Sequence, residues 1–478
     1  VFNVFELLCY KNFKGSLKGG GAMPMKTHTP VAITIAGSDS CGGAGIQADL
    51  KTFAALGVHG TAAVTSVTAQ NTYSVRAVED LTPEMVCEQI RAVAEDLGID
   101  AGKTGMLHTE EIIRAVASEV SKYGFPLVVD PVMVAKSGAP LLKPEAEEAL
   151  KKHLLPFAKI VTPNRFEAEK LSGMKIKSLK DAEAAAKEIS KMGPEAVVIK
   201  GGHFEGEEVT DTLYYKGKFW KFTLPRLNVK TTHGTGCVFS AAIAAFLAKK
   251  LDIPEAVENA KRLVFSAVKF GLQIGKGYGP VNPLASLYRQ ASRYEVLLNL
   301  EEAKNFLERH PEVAALVPEV GMNLAMATRY AENVDDIAAI DGRIVRTLSG
   351  VRAVGIPKFG CSRHLAKYVI EAIKHDEDKR AAINLKFSEE TLKILEKQGL
   401  IISFYDRTKE PEEAKKIEGM TIPWGVREAI KNIGKLPDVI YHKGDWGKEP
   451  MIVILGKDAV SLAKLVIEIA KEKKSNNA

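Results

Sequence analysis

Thr232-His233-Gly234-Thr235-Gly236-Cys237 stands immediately before an alanine-rich run, 238–250, and the reading of this junction decides the fold. The run predicts a helix over 234–250 with an Ala-rich face. Gly234 and Gly236 let the backbone turn tightly and come close to a ligand. The first turn of a helix leaves several N–H groups unpaired, and its dipole favours negative charge there. Together these features make an anion hole suited to a phosphoryl group in transfer. A glycine-rich helix cap with no ligand has the same local sequence, so other residues must decide.

Upstream, from Val31, short apolar strands alternate with amphipathic helices. The pattern predicts strands over 31–36, 60–67, 101–106, 127–129, 160–162 and 196–200, with helices over 48–56, 83–96, 110–123 and 180–192. Around the helix over 83–96, Met85, Val86, Ile90, Val93 and Leu97 recur at three-to-four spacing. The segment 213–223 reads as a hairpin turning at Lys216-Gly217-Lys218. Repeated strand–helix units imply an α/β fold, a largely parallel sheet with helices on both faces. Ligands of such sheets bind at the carboxyl ends of the strands.

The unusual residues fall at those ends. Lys200 closes a strand beside Gly201-Gly202 and suits phosphate. Asp130 closes another, where a carboxylate can hold Mg²⁺ or its waters. Asn164 and Glu167 follow a third in an NxxE spacing. Taken singly, Asp130 also reads as a turn residue, Lys200 as a solvated charge and Asn164 as a helix cap. Their gathering at the strand ends of one domain favours a phosphate site.

At 478 residues the chain is too long for one ordinary core, and two or three domains are expected. Hydrophobic residues at 46% and charged residues at 26% fit a soluble globular protein. A net charge of +6 is small for this size and suits anionic small molecules as well as weak nucleic-acid binding. Zinc-finger spacing, a helix-turn-helix and a long basic run are all missing, so nucleic acid is not the expected partner. The cysteines (Cys9, Cys41, Cys87, Cys237, Cys361) are odd in number and widely spaced, and none forms a CxxC. They point to the reducing cytoplasm. No apolar run reaches the roughly 18 residues of a spanning helix, so no membrane is expected. Scarce Gln with plentiful Lys and Glu leans towards a thermophilic source. Residues 1–25 read as a non-native or disordered extension. Their apolar start, 1–10, lacks the basic residues and cleavage site of a signal peptide. Lys18-Gly19-Gly20-Gly21 has linker composition, and Met23 or Met25 is the expected natural start.

On a wider set of motifs, the chain from about 31 to 283 resembles hydroxymethylpyrimidine and phosphomethylpyrimidine kinases. The motifs are Ala36-Gly37-Ser38-Asp39-Ser40, Gly42-Gly43-Ala44-Gly45-Ile46-Gln47-Ala48-Asp49, Thr68-Ala69-Gln70-Asn71-Thr72 and Lys103-Thr104-Gly105-Met106-Leu107. Asp130-Pro131-Val132-Met133, Thr162-Pro163-Asn164 and the Gly-Thr-Gly-Cys helix complete the set. The resemblance implies a ribokinase-like fold, ATP and Mg²⁺ as cofactors, and two successive transfers. The first goes to the hydroxymethyl oxygen and the second to the resulting monophosphate. By motif, Gln47 is expected to hydrogen-bond the aminopyrimidine, its amide offering both donor and acceptor. Gly37, Ala44 and Met106 are expected to line that pocket. Gly234, Thr235 and Gly236 fall to ATP and phosphate with Lys200, Asn164 and Glu167, while Asp130 and Glu167 fall to Mg²⁺. Cys237 stands where related sugar kinases carry an aspartate base. A helix start lowers a thiol pKa from about 8.5, so Cys237 is expected to accept the substrate's hydroxyl proton near neutrality. A small cysteine that merely packs is the other reading. Lys276, within Gly275-Lys276-Gly277-Tyr278-Gly279-Pro280, is expected to add charge stabilisation. Pyridoxal kinase is the alternative within the fold; a sugar kinase would want Asp at position 237.

The kinase domain is expected over 26–285, a connecting helix over 286–310, a second α/β domain over 311–471 and a frayed tail over 472–478. In the second domain, strands are predicted over 382–387, 400–405, 439–442 and 451–455, and helices over 363–375, 389–398 and 459–471. Pro318-Glu319-Val320 with Asn323 reads as a polar loop leading into a helix. Ser362-Arg363-His364 opens a helix, and arginines beside a helix N-terminus suit a diphosphate. His364 there suits proton or hydrogen-bond donation, with a satisfied surface histidine as the other reading. Val317-Pro318-Glu319-Val320, Gly355-Ile356-Pro357, His364-Leu365-Ala366, Asp406-Arg407 and Pro437-Asp438-Val439-Ile440-Tyr441 resemble the ThiN-type thiamine-phosphate synthases. That resemblance implies joining of pyrimidine diphosphate to thiazole phosphate with release of pyrophosphate. It gives Arg343 the departing pyrophosphate and His364 an assisting role, with Arg363 and Lys448 as weaker phosphate contacts. A ligand-sensing regulatory module is the alternative. Partners are expected to be small molecules, with a homodimer possible by analogy.

Overall fold

Val31-Ala32-Ile33-Thr34-Ile35-Ala36 is buried along its whole length, the mark of a central strand covered on both faces. A computed structural model of the chain describes residues 28–134, 141–412 and 419–476. The expectations for residues 1–25 lie outside the described residues. The first sheet has eight strands in the order β10-β9-β8-β7-β6-β5-β1-β2. They are β1 (Val31–Ala36), β2 (His59–Val64), β5 (Ala101–Thr104), β6 (Leu127–Val129), β7 (Ala158–Val161), β8 (Ala196–Ile199), β9 (Glu208–Tyr215) and β10 (Lys218–Pro225). All pairings are parallel as far as β8, and the hairpin β9–β10 closes one edge antiparallel. The hairpin turns at Lys216-Gly217, both at positive φ.

Strand alternation assigns each residue to a face. Ile33, Ile35, Leu127 and Val129 pack with the helices Pro83–Asp96 and Glu110–Tyr123. Ala32, Ala101 and Val128 pack on the other side against the helix Thr235–Ala248. That helix is buried from Val238 to Ala248 without interruption, and its alanines let it lie close to the sheet. The strand expected over 60–67 ends at Val64 as β2, and Ser66 opens a separate antiparallel ribbon, β3 (Ser66–Gln70) with β4 (Val75–Asp80).

The second sheet orders its strands β15-β12-β11-β16-β19-β18-β17. They are β11 (Leu324–Ala327), β12 (Ile337–Ile340), β15 (Pro357–Phe359), β16 (Ala381–Lys386), β17 (Ile402–Phe404), β18 (Val439–His442) and β19 (Met451–Gly456), and β13 (Ile344–Thr347) pairs with β14 (Gly350–Ala353) apart from it. Only β17–β18 is parallel. Two expectations are corrected here. The polar loop before Asn323 leads into strand β11, not a helix, because Asn323 hydrogen-bonds across to Asn384 and Ile340. The segment 472–478 is not frayed as far as it is described. The last helix runs Ala459–Asn476, tied down by Lys397–Glu472 at 2.8 Å and Lys473–Ser388 at 2.9 Å. The helix Ala285–Glu308 joins the two halves, and its Val296, Leu300, Ala303 and Leu307 are part of the second core. Glu332 beyond it accepts from Ser266 and pairs with Arg289, each at 2.7 Å. Among the described residues no helix is long and apolar enough to cross a membrane.

Candidate active sites

Two glycine turns meet face to face above the carboxyl ends of the first sheet. Gly234 has φ 83°, and a Cβ there would lie 1.8 Å from the Gly43 carbonyl oxygen. Only glycine fits, on both conformational and steric grounds. Asp39 locks the two turns together. Its Oδ2 lies 2.8 Å from His233 Nε2 and accepts from the Gly43 and Ala44 amides at 3.1 and 2.8 Å. Cys41 adds its amide at 3.0 Å and its thiol at 3.3 Å. Burial works to raise the Asp39 carboxyl, but His233 and Cys41 outweigh it and hold it at about 2.

The turns roof a cavity of about 790 Å³. Of the expected residues, Gly37, Ala44, Met106, Asp130, Asn164, Glu167, Lys200, Gly234, Thr235, Gly236 and Cys237 all line it. Lys200 pairs with Asp130 at 3.1 Å, and a Cβ on Gly236 would sit 3.4 Å from the Lys200 ammonium. The ammonium is therefore beside the backbone of the turn, where an anion would meet both. Asp130 also accepts from Ser240 at 3.2 Å.

Four expectations change on contact with this geometry. Cys237 is not lowered by its helix start. Burial pushes its thiol up to about 11, with Asp49 and Asp130 adding to the rise and Lys103 and the Gly45 amide opposing it. Gln47 is not among the cavity residues, and its Oε1 already accepts from the Asp39 amide at 2.8 Å, so one half of its amide serves the loop. Lys276 is exposed and is not among the cavity residues, and its segment packs on Thr72. Glu167 has its oxygens engaged by the Asn164 amide at 2.7 Å, in a capping box, and the Met133 amide at 3.5 Å. The residues missed by the sequence reading are Asp39 and His233, together with Asp49 and Lys103. A lysine inside an otherwise apolar strand is the signal that marks Lys103.

In the second half, Arg343 has φ 72° and donates its guanidinium to the Val320 carbonyl. His364 is the second residue of the helix Arg363–Ala372. Its ring opens to solvent within a crowded cleft. Loss of solvation, then Arg407, Arg343, Lys367 and Lys448, hold it down at about 4. His442, buried at the end of β18, is held at about 4 by loss of solvation, Arg407 and His364. Arg343, His364 and Lys448 thus converge, with Arg407, Lys367 and His442 added by the fold. Arg363 is exposed on the first turn. Tyr368 and Tyr405, hydroxyl to hydroxyl at 2.8 Å, floor this cleft between the two histidines. Four cations act on His364, and such a gathering of positive charge suits a polyanion.

The parallel-rich sheet with its glycine-turn cavity defines a ribokinase-like phosphotransferase of small molecules, followed by a second α/β unit with a cationic cleft. The family described as phosphomethylpyrimidine kinase matches residues 39–282. That described as thiamine-phosphate synthase ThiN matches residues 299–468. The hydroxymethylpyrimidine/phosphomethylpyrimidine kinase of Bacillus subtilis is 52% identical over 256 residues, 53% of this chain and 94% of that one. The bifunctional thiamine biosynthesis protein ThiDN of Methanocaldococcus jannaschii is 34% identical over 445 residues, 92% of this chain and 98% of that one. Among solved structures, the pyridoxal kinase of Staphylococcus aureus in complex with pyridoxal is 40% identical, with a TM-score of 0.51 over 54% of this chain and 94% of that one. The Bacillus subtilis pyridoxal kinase in an ADP complex gives 38% and 0.51, over 54% and 99%. The chain belongs to the phosphomethylpyrimidine kinase family and carries a ThiN-type synthase unit behind it. It is a bifunctional enzyme of thiamine biosynthesis. It phosphorylates hydroxymethylpyrimidine to the monophosphate and diphosphate with ATP, and condenses the diphosphate with thiazole phosphate.

Proposed function

We propose that the facing glycine turns, Lys200 and Cys237 carry both phosphoryl transfers, and that Arg343 and His364 carry the condensation. The observation that supports the first assignment most is the place of the Lys200–Asp130 pair beside Gly236, where an added Cβ would lie 3.4 Å from the ammonium and 3.6 Å from the carboxylate. Amides of residues 234–237 and the ammonium would hold the transferring phosphoryl group, whose charge sits on its outer oxygens. Cys237 would take the proton of the attacking hydroxymethyl group. The thiol must reach its thiolate for this, and it starts high, at about 11. Mg²⁺ would be held through Asp130, a cavity-lining carboxylate whose present partners, Lys200 and Ser240, are side chains that can turn aside, and would neutralise phosphate charge there. Glu167 would contribute less, because amides occupy its oxygens. Gly37, Ala44 and Met106 would enclose the pyrimidine, with the free amide end of Gln47 as a more distant contact.

In the condensation, the bond between the pyrimidine methylene and the diphosphate breaks as pyrophosphate leaves. Arg343 would take up its growing charge, and His364 would donate to it. His364 is neutral in the empty cleft, and an arriving diphosphate would offset the cations that hold it down. Arg343→Ala and His364→Ala in the full-length chain test this. Loss of synthase turnover with kinase turnover intact supports the assignment; synthase turnover unchanged in both overturns it. A pyridoxal kinase side activity is the second reading, favoured by the 40% identity to the Staphylococcus aureus enzyme, and competing turnover of the two substrates decides it. We further propose domain limits near 26–285 and 311–471, the cytoplasm as compartment, and a homodimer. The free cysteines among the described residues support the compartment. Nucleic acid and membrane are not proposed as partners.

A further inference from the structure

Under the glycine turns lies an ion pair that the transfer chemistry described above does not use. Thr34 of β1 and Lys103 of β5 are register partners on neighbouring strands, so their side chains leave the same face of the sheet. Along that face Ala32 and Ala101 pack in the apolar core below the helix Thr235–Ala248. One step further towards the carboxyl ends, the core gives way to Thr34, Lys103 and, from the helix Gly45–Ala55, Asp49. Lys103 donates to Asp49 Oδ2 at 2.8 Å and Thr34 to the same oxygen at 2.7 Å, and Lys103 and Asp49 have no exposed surface. Asp49 Oδ1 is buried with no hydrogen-bond partner. Gly105 keeps the space open, since a Cβ there would lie 2.9 Å from the Lys103 ammonium.

A buried ion pair seldom stabilises a fold more than well-packed apolar side chains would. Its presence beside the cavity therefore suits another use. Lys103 lines the same cavity as Cys237. The charged groups that act on the Cys237 sulfur are Lys103 from β5, Asp49 from the helix Gly45–Ala55, Asp130 at the end of β6 and Lys200 at the end of β8. Of the cations, Lys103 acts on the thiol most strongly, and its charge is fixed because Asp49 holds it protonated despite burial.

We propose that Lys103, held by Asp49 and Thr34, is a positioning residue that stabilises the Cys237 thiolate during phosphoryl transfer. The inference rests on the reading of Cys237 as proton acceptor. The pair supplies a permanent ammonium where the thiolate forms, while Asp49 keeps the net charge of the empty site low. With its ammonium held by Asp49, Lys103 would act through the sulfur.

The test measures the alkylation rate of Cys237 by iodoacetamide against pH, peptide by peptide, in the full-length chain. This readout concerns the thiol alone and needs no turnover. Lys103→Met is expected to lower the rate at pH 8 by about tenfold, one pKa unit, and to move the acid limb of the kinase pH profile upward. Read along the whole pH range, an electrostatic effect moves the midpoint of the alkylation profile, whereas a loss of packing alone changes the rate at every pH alike. Should Lys103→Met fail to fold, Lys103→Met with Asp49→Leu keeps the site apolar and the slowing keeps its sign, since Lys103 acts on the sulfur more strongly than Asp49. Unchanged alkylation in Lys103→Met, or in the double variant, overturns the proposal, as does a slower rate with an unmoved midpoint. If instead the alkylation profiles move as expected while Cys237→Ala keeps its full rate of first transfer, the role given to Cys237 fails and the electrostatic link stands.

Discussion

Cys237 faces two different nucleophiles in succession. The hydroxymethyl group must lose a proton to attack, whereas the monophosphate oxygen of the second transfer is already largely ionised near neutrality, its second pKa lying near ~6. Cys237→Ala is therefore expected to slow the first transfer by about 10²–10⁴-fold, the usual worth of a general base, and the second much less. Separate rates on hydroxymethylpyrimidine and on its monophosphate check this, and equal losses would contradict it. In the second cleft, His442 gives a pH prediction. Its pKa lies at about 4 in the folded protein against 6.5 as a free group. A depressed value means stability that is complete above 6.5 and lost as the pH falls towards 4. The loss is on the order of 3 kcal/mol. Denaturation midpoints should fall over that window in the parent, and less steeply in His442→Gln. The sequence exposed most members of the first site because chemistry-bearing residues stood at strand ends. It misjudged the Cys237 pKa because burial beside two carboxylates depends on strands and helices far apart in the chain.

Helices with clear ends were legible. The predicted spans over 83–96 and 110–123 coincide with the observed ones because Thr82 and Thr109 cap their starts and Gly124 ends the second at φ 67°. Among strands of three or four residues, β6 and β18 stood out at 127–129 and 439–442, while β11 and β15 did not, since so short a segment carries little periodicity to read. The ribbon β3–β4 escaped for a related reason: tertiary pairing defines it. The helix Thr421–Ile433 carried a readable pattern, Ile422, Val426 and Ala429 at helical spacing with Gly434 at its end, that the sequence reading passed over. The glycine turn is the element on which the kinase depends. Gly234→Ala would drive a Cβ against the Gly43 carbonyl oxygen and force a left-handed backbone on alanine. Kinase kcat/KM is expected to fall by about 10²-fold or more, in the range seen when one anion-hole donor is lost, while synthase turnover on supplied diphosphate persists. Measuring both activities on one preparation separates this from global unfolding, which would abolish both.

Across the whole molecule, two sheets with separate cores carry two sites whose chemistries are consecutive. The diphosphate made by the first is the electrophile of the second, and joining them in one chain raises local concentration without any new contact. The second site was only half legible. Arg343, His364 and Lys448 stood out beside glycines and a helix start, and Arg407 stood in a quoted motif without a role; Lys367 follows His364 by one turn of the same helix, and His442 reaches the site from β18, which no local pattern announces. The most direct measurement supplies the purified full-length chain with hydroxymethylpyrimidine, ATP, Mg²⁺ and thiazole phosphate, and follows the products in time. Thiamine phosphate and pyrophosphate should appear together after a transient of the pyrimidine phosphates. Accumulation of the diphosphate without thiamine phosphate, or no phosphorylation at all, would contradict the account.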